Sequence, residues 1–166
     1  MTTPSPLPPT APELRLALGR FATGVTLITC RDAAGLPVGL TVNSFNALSL
    51  EPALVLWSLR LASSSIEAFR GCSHFCVNVL AESHLTLSRR FAKSVPDKFA
   101  EGLWHDGLGG APVLDDALAA FECRRHAEQP FGDHLLFVGA VERLRERLGP
   151  PLVYQGGHYR EIGDLL

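Results

Sequence analysis

Apolar and polar positions in this chain change places over short distances, and few apolar stretches hold a helical period. Val25 to Cys30 is rich in β-branched residues and reads as a strand. Arg31 to Gly35 is a turn, and Val38 to Asn43 reads as the antiparallel partner. Phe45 to Leu50 fits a further strand, Glu51-Pro52 breaks it, and Ala53 to Leu59 is a nearly continuous apolar strand. Phe75 to Leu80 places Phe75, Val77 and Val79 on one face. Ala117 to His126 reads as a strand, although its alanine-rich start fits a helix equally well. Gln129 to Asp133 reads as a turn, followed by a long strand from His134 to Arg145 with Leu136, Val138 and Val141 among its apolar positions. After Gly149-Pro150-Pro151, Leu152 to Tyr154 and His158 to Ile162 read as a final hairpin around Gly156-Gly157.

Helical period appears in three places. Thr10 can cap a helix whose Glu13 stands three residues on, with Leu14, Ala17, Leu18 and Phe21 at helical spacing and Gly24 as a stop. Ser64 and Glu67 have capping-box spacing for a short helix to Arg70, and Glu82 to Phe91 is helical in period. Lys93 to Gly110, interrupted by Pro96 and several glycines, is irregular, and such long irregular segments are often functional. The sum is six to eight strands with two or three short helices and no regular strand–helix alternation. That predicts a mainly β protein, a closed or partly open antiparallel barrel with helical decoration. Residues 1–12 read as a flexible tail and residues 13–166 as one domain.

Composition narrows the function classes. The chain has 166 residues, 46% hydrophobic and 19% charged, which suits one domain with a full core and argues against disorder. A formal net charge of -2 gives no electrostatic support for a nucleic-acid or anionic-membrane partner. No apolar run reaches bilayer length, and Met1 to Pro12 lacks the basic start and apolar centre of a secretory signal, so a cytoplasmic protein is expected. Cys30, Cys72, Cys76 and Cys123 form no CxxC pair and are expected reduced and partly buried.

Candidate chemistry is concentrated in Gly39 to Phe45. Thr41, Asn43 and Ser44 carry donors and acceptors within four positions, flanked by Leu40, Val42, Phe45 and Leu48. Buried, such groups need partners, because an unpaired one costs roughly 1–3 kcal/mol. Those partners are either local backbone, as at many strand ends, or a ligand rich in carbonyls and ring nitrogens. Ser63, Ser64 and Ser65 stand at a helix start, where they serve as caps or as part of a phosphate site. No GxGxxG follows a strand, and neither GxxxxGK[ST] nor GxSxG occurs. Asp133 and His134 are adjacent on a predicted strand and are expected to point to opposite faces. Cys123, His126 and His134 do not converge on a metal at strand spacing, so no metal site is expected. His134 differs from the other histidines in sitting where a Gly-Asp turn enters a long strand, the place of a barrel mouth.

An ordered set of short motifs then carries a resemblance. Phe21-Ala22-Thr23-Gly24-Val25 is followed by Gly39 to Phe45, then Ser49-Leu50-Glu51-Pro52, Val77 to Ala81, Arg89-Arg90-Phe91-Ala92, Leu118 to Cys123, Gly132-Asp133-His134 and Tyr159. In this order, over roughly Leu14 to Ile162, the chain resembles the short-chain flavin reductases. The resemblance implies a split antiparallel (Greek-key) β-barrel that forms a homodimer and binds FMN, sometimes FAD. NADH or NADPH then reduces the flavin, which passes to a separate monooxygenase. It also implies that Thr41, Asn43 and Ser44 meet the flavin ring edge and ribityl chain, with Val42 standing where the family usually has a small residue. Ser63, Ser64 and Ser65 would lie at the phosphate with Lys98 as cationic partner. Ser58 and Leu59 would line the same groove, Phe91 and Tyr159 would close it, and His134 would position the nicotinamide. A flavin- or haem-binding barrel without its own turnover is the rival of another class.

Overall fold

The computed structural model describes residues 8–163. Of the tail expected over residues 1–12, residues 1–7 lie outside that range, and Ala11 and Pro12 belong to the first helix, α1 (Ala11–Leu18). The capping box forms as the sequence predicts. The Glu13 carboxylate accepts from the Thr10 backbone N–H at 2.8 Å, and Thr10 Oγ1 accepts from the Glu13 backbone N–H at 3.4 Å.

The chain then continues through β1 (Thr23–Gly24), β2 (Thr26–Arg31), β3 (Pro37–Val42), β4 (Asn46–Leu50), β5 (Ala53–Arg60), α2 (Ile66–Gly71) and β6 (His74–Val79). The second half comprises α3 (Leu85–Phe91), β7 (Trp104–Asp106), β8 (Pro112–Leu114), β9 (Ala119–Phe131), β10 (His134–Glu146), β11 (Val153–Gln155) and β12 (His158–Arg160). Seven strands form one antiparallel sheet in the order β3-β2-β6-β9-β10-β5-β4. β1, β11 and β12 make a second small sheet, and β7 pairs with β8. The mainly β architecture with few helices is as the sequence predicts.

The large sheet curls. Ile28 of β2, Val42 of β3, Val55, Trp57 and Leu59 of β5, Phe75 of β6 and Phe137 of β10 meet in one buried cluster, with Phe69 of α2 against it. The Trp57 ring lies 4.6 Å from Phe137, stacked, and 4.9 Å from Phe69, edge-on. A second cluster, Val25, Leu27, Leu80, Leu87, Phe91 and Leu152 among its members, fills the space between β2 and α3. β2 and β6 are therefore buried on both faces, which explains why Cys76 and Asn78 are as buried as Phe75 and Val77. All four cysteines are free and buried, as expected.

Two local expectations are corrected. The Ser64–Glu67 capping box does not form; α2 starts after Ser65, whose side chain makes no cap bond. Ser63 organises this turn instead, its Oγ accepting from the Ser65 N–H at 3.3 Å and its carbonyl from Ile66 at 3.1 Å. Gln129 to Phe131 are not turn but the end of β9, leaving Gly132-Asp133 as a two-residue hairpin with Gly132 at φ +57°. Pro130 is tolerated there because β6 pairs with β9 only as far as Arg124, so beyond that point β9 has a free edge.

Candidate functional site

β3 organises the site through the alternation of its faces. Val42 points into the core, while Gly39 and Thr41 face α3 and the segment after it. Thr41 Oγ1 donates to the Ser88 carbonyl at 2.6 Å, and Ser88 Oγ shares a hydrogen bond of 2.9 Å with the Tyr159 hydroxyl. Ser88, fully buried on α3, thus ties β3 to β12. Thr41, Asn43, Ala92, Tyr154 and Tyr159 surround a cavity of about 190 Å³.

At the other end of β3, Gly39, Ser64, Ser65, Ser94, Asp97 and Lys98 line a cavity of about 290 Å³. Lys98 Nζ donates to the Gly39 carbonyl at 3.2 Å and to the Phe91 carbonyl at 3.1 Å. An ammonium has three donors, so one remains for a ligand. Partial burial lowers the Lys98 pKa from the ordinary lysine value. From Gly39 to Asn43 the strand covers roughly 13 Å. The two cavities therefore sit at opposite ends of one short run of backbone. Gly39 keeps that run open: a Cβ there would stand 2.7 Å from Phe91 Cε1.

Past Asn43 lies a larger cavity, about 680 Å³, with Phe21, Thr23, Asn43, Ser44, Tyr154 and Gln155 in its wall. It is within the usual range for small-molecule sites. Among the described residues Thr23 Oγ1 is buried without a partner, and the exposed Asn43 amide is bonded to no protein group. A buried unpaired hydroxyl such as that of Thr23 at a cavity wall is what a ligand with a polar rim would satisfy, and the exposed Asn43 amide is free to join it.

The remaining candidates divide between wall and support. Ser44 Oγ donates to the Ser58 carbonyl and accepts from the Ser58 N–H, both at 3.0 Å, so this pair fastens the end of β3 to β5. Replacing Ser44 with Ala orphans both backbone groups, and we expect a loss of about 1–3 kcal/mol in chemical denaturation. Ser63 lines neither cavity and serves the α2 turn, leaving Ser64 and Ser65 as the cavity serines. Val42, Leu59 and Phe91 take part differently from the other candidates. All three side chains are buried in the two clusters, so any ligand contact they make is through backbone.

His134 is half-exposed at the start of β10, opposite Arg60 of β5, and is not in the walls of these cavities. It lies on the face of β10 shared with Leu136, whose register partner is Ser58, the anchor of Ser44. The expectation that Asp133 and His134 point apart is overturned: Asp133 Oδ1 meets His134 Nδ1 at 2.8 Å. Asp133 belongs to the two-residue turn, where strand alternation does not hold. The bond from His134, then its charge, hold the Asp133 carboxyl below its usual value.

Sequence reasoning missed Ser88, Ala92, Tyr154 and Ser94. Ala92 ends the Arg89-Arg90-Phe91-Ala92 motif and Ser94 lies two residues beyond it, so their position was available. Ser88 and Tyr154 carried no signal, since only the packing of α3 and the last hairpin on β3 brings them in.

A curled antiparallel sheet carrying a chain of cavities, with a cation at one end and the Thr23 hydroxyl and Asn43 amide at the other, suits a nucleotide-cofactor binding domain. The chain belongs to the flavin reductase like domain family, which it matches over residues 18–163. It is 44% identical to the FMN reductase (NADH) SmoA of Agrobacterium fabrum over 147 residues, 89% of this chain and 83% of that protein. It is 43% identical to the flavin-dependent monooxygenase reductase subunit HsaB of Rhodococcus jostii, over 90% of this chain and 77% of that one. Among solved structures, the NADH:FAD oxidoreductase SgcE6 of Streptomyces globisporus, in complex with NAD and FAD fragments, superposes with a TM-score of 0.86. That match is 32% identical and covers 91% of this chain and 92% of SgcE6.

Proposed function

We propose that the protein is an NAD(P)H:flavin oxidoreductase that reduces FMN, or FAD, and supplies reduced flavin to a separate monooxygenase. The observation that carries this reading is the row of cavities along β3, from the Lys98 ammonium to the unpaired Asn43 amide. Bound flavin would accept a hydride from NADH or NADPH, which is cofactor chemistry. The chain's share is to bind and orient. Lys98, Ser64 and Ser65 would hold the phosphate, Thr41 and Tyr159 would border the ring with Ser88 behind them, and Asn43 and Ser44 would edge it. His134, its Nδ1 held by Asp133, would orient the nicotinamide through Nε2. No acid–base dyad is needed for that work. The names of the relatives, an FMN reductase using NADH and a monooxygenase reductase subunit, support the flavin, the donor and the monooxygenase partner.

The open sheet, unpaired between β3 and β4 among the described residues, fits a split barrel that forms a homodimer. α1 buries none of its residues, and Leu16, Leu18, Phe21 and Leu50 are exposed, an apolar surface that a second copy would cover. No helix among the described residues is long and apolar enough to cross a membrane, and we read the protein as cytoplasmic.

The test is steady-state oxidation of NADH and NADPH with FMN, FAD and riboflavin compared. Oxidation that requires added or bound flavin supports the assignment, and none with either nucleotide refutes it. A yellow protein without turnover would point instead to a non-catalytic flavin-binding module. His134→Ala is expected to raise the KM for the nicotinamide nucleotide about tenfold with a much smaller effect on flavin binding, the scale of one charge-assisted bond. An equal loss of both would remove His134 from its assigned role.

A further inference from the structure

We propose that this chain selects a flavin mononucleotide over a flavin dinucleotide, with Asp32 as the chief determinant and Glu67 as a second. The inference rests on the reading of the Lys98 cavity as the phosphate site. Next to that cavity lies another of about 490 Å³, whose wall includes Asp32, Ala33, Ala34, Glu67 and Ala68. Val38, Ser64 and Ser65 line both, so the second space continues the first.

Their charges differ. The first cavity carries Lys98, with Asp97 beside it. The second has two carboxylates and no cation in its wall. The neighbouring basic residues are engaged elsewhere. Arg31 bonds the Gly35 carbonyl and Asp106, while Arg70 bonds Glu128 and stands 3.6 Å from Glu67. Asp32 is half-buried and held in place, its Oδ1 accepting from the N–H groups of Ala34 at 2.9 Å and Leu36 at 2.8 Å. The Glu67 side chain is 80% exposed, so its field is the more strongly screened.

A phosphate monoester ends at Lys98. A pyrophosphate carries a second anionic phosphate and a nucleoside onward, into a space whose wall holds two carboxylates that repel it and no cation, Arg70 offsetting part of the Glu67 charge from outside. The space is large enough for a nucleoside and walled by alanines, so the obstacle is charge and not size. Removing the charge therefore removes the preference.

The experiment measures binding of FMN, FAD and riboflavin to the full chain, as wild type, Asp32→Asn, Glu67→Gln and the double variant. Asn retains the acceptor that the Ala34 and Leu36 N–H groups use, and Glu67→Gln is a surface change that leaves the fold in place. FMN is expected to bind at least tenfold tighter than FAD in the wild type. The double variant should narrow that ratio by about three- to tenfold, Asp32→Asn supplying most of it, and high salt should narrow the wild-type ratio in the same direction. Equal binding of FMN and FAD by the wild type, or a ratio that neither the double variant nor salt moves, overturns the proposal. FMN binding no tighter than riboflavin overturns the phosphate reading itself and this inference with it. FMN far tighter than riboflavin with an unmoved FMN/FAD ratio overturns this inference alone.

Discussion

Replacing Lys98 with Met is expected to weaken FMN binding by about 10- to 100-fold while changing riboflavin binding little, the range of one charge-assisted bond to a phosphate in a partly desolvated cleft. The ammonium is the only basic group in the wall it shares with Ser64 and Ser65, and burial already lowers its pKa. The sign of the pH dependence follows. FMN binding draws on the protonated form, so the phosphate's contribution is complete below the Lys98 pKa and fades as pH rises through it, earlier than an ordinary lysine would require. Riboflavin, lacking the phosphate, should show no such fall. Fluorescence titration of both flavins from neutral to alkaline pH measures it. Parallel losses for the two flavins in Lys98→Met would mean that the side chain acts by tethering its segment to the Gly39 and Phe91 carbonyls, and not by holding a phosphate.

The second large effect is expected at Gly39. A methyl group at this position would meet Phe91 Cε1 at 2.7 Å and Phe99 Cζ at 3.1 Å. Both rings are packed, Phe91 edge-on to Phe99 at 5.0 Å and tilted on Trp104 at 5.6 Å, so neither can swing aside freely. Gly39→Ala should cost about 1–3 kcal/mol through overpacking. In a chain of this length that is roughly 2–12 °C in Tm. Because Gly39 also lines the Lys98 cavity, the same variant should lose FMN affinity. An unchanged Tm would show that the aromatic cluster yields without cost.

Much of this was legible in the sequence because the relevant signals are local. The Thr10–Glu13 capping box, the β2–β3 hairpin, the breaks at Glu51-Pro52 and the final Gly156-Gly157 turn depend on residues a few positions apart, and each appears where its spacing predicts. The clustered polar groups of Thr41, Asn43 and Ser44 also marked a candidate site, and the ordered motifs placed the whole chain in its family. The errors arose where a local pattern had a second solution. Ser64 and Glu67 have capping spacing, yet Ser63 closes the turn with its own hydroxyl and carbonyl. Pro130 looked like a turn residue, yet a strand with a free edge accommodates it. Val42, Leu59 and Phe91 came to the site through the family resemblance, and strand and helix geometry sends their side chains into the core.

By itself, then, the sequence determined the class of fold and the family, and it singled out the stretch from Gly39 to Phe45 as the proposed centre of the chemistry. Hydrophobic period and turn chemistry act over short range and are written along the chain. The tertiary structure decided which polar groups are spoken for and which remain open. Ser44 is spent on Ser58 and Thr41 on Ser88, Lys98 keeps one donor for a ligand, and the Asn43 amide is unpaired. It also set two carboxylates beyond the Lys98 cavity. Those outcomes follow from curling a sheet that joins residues far apart in sequence, and no pattern along the chain encodes which distant backbone group will take a given hydroxyl.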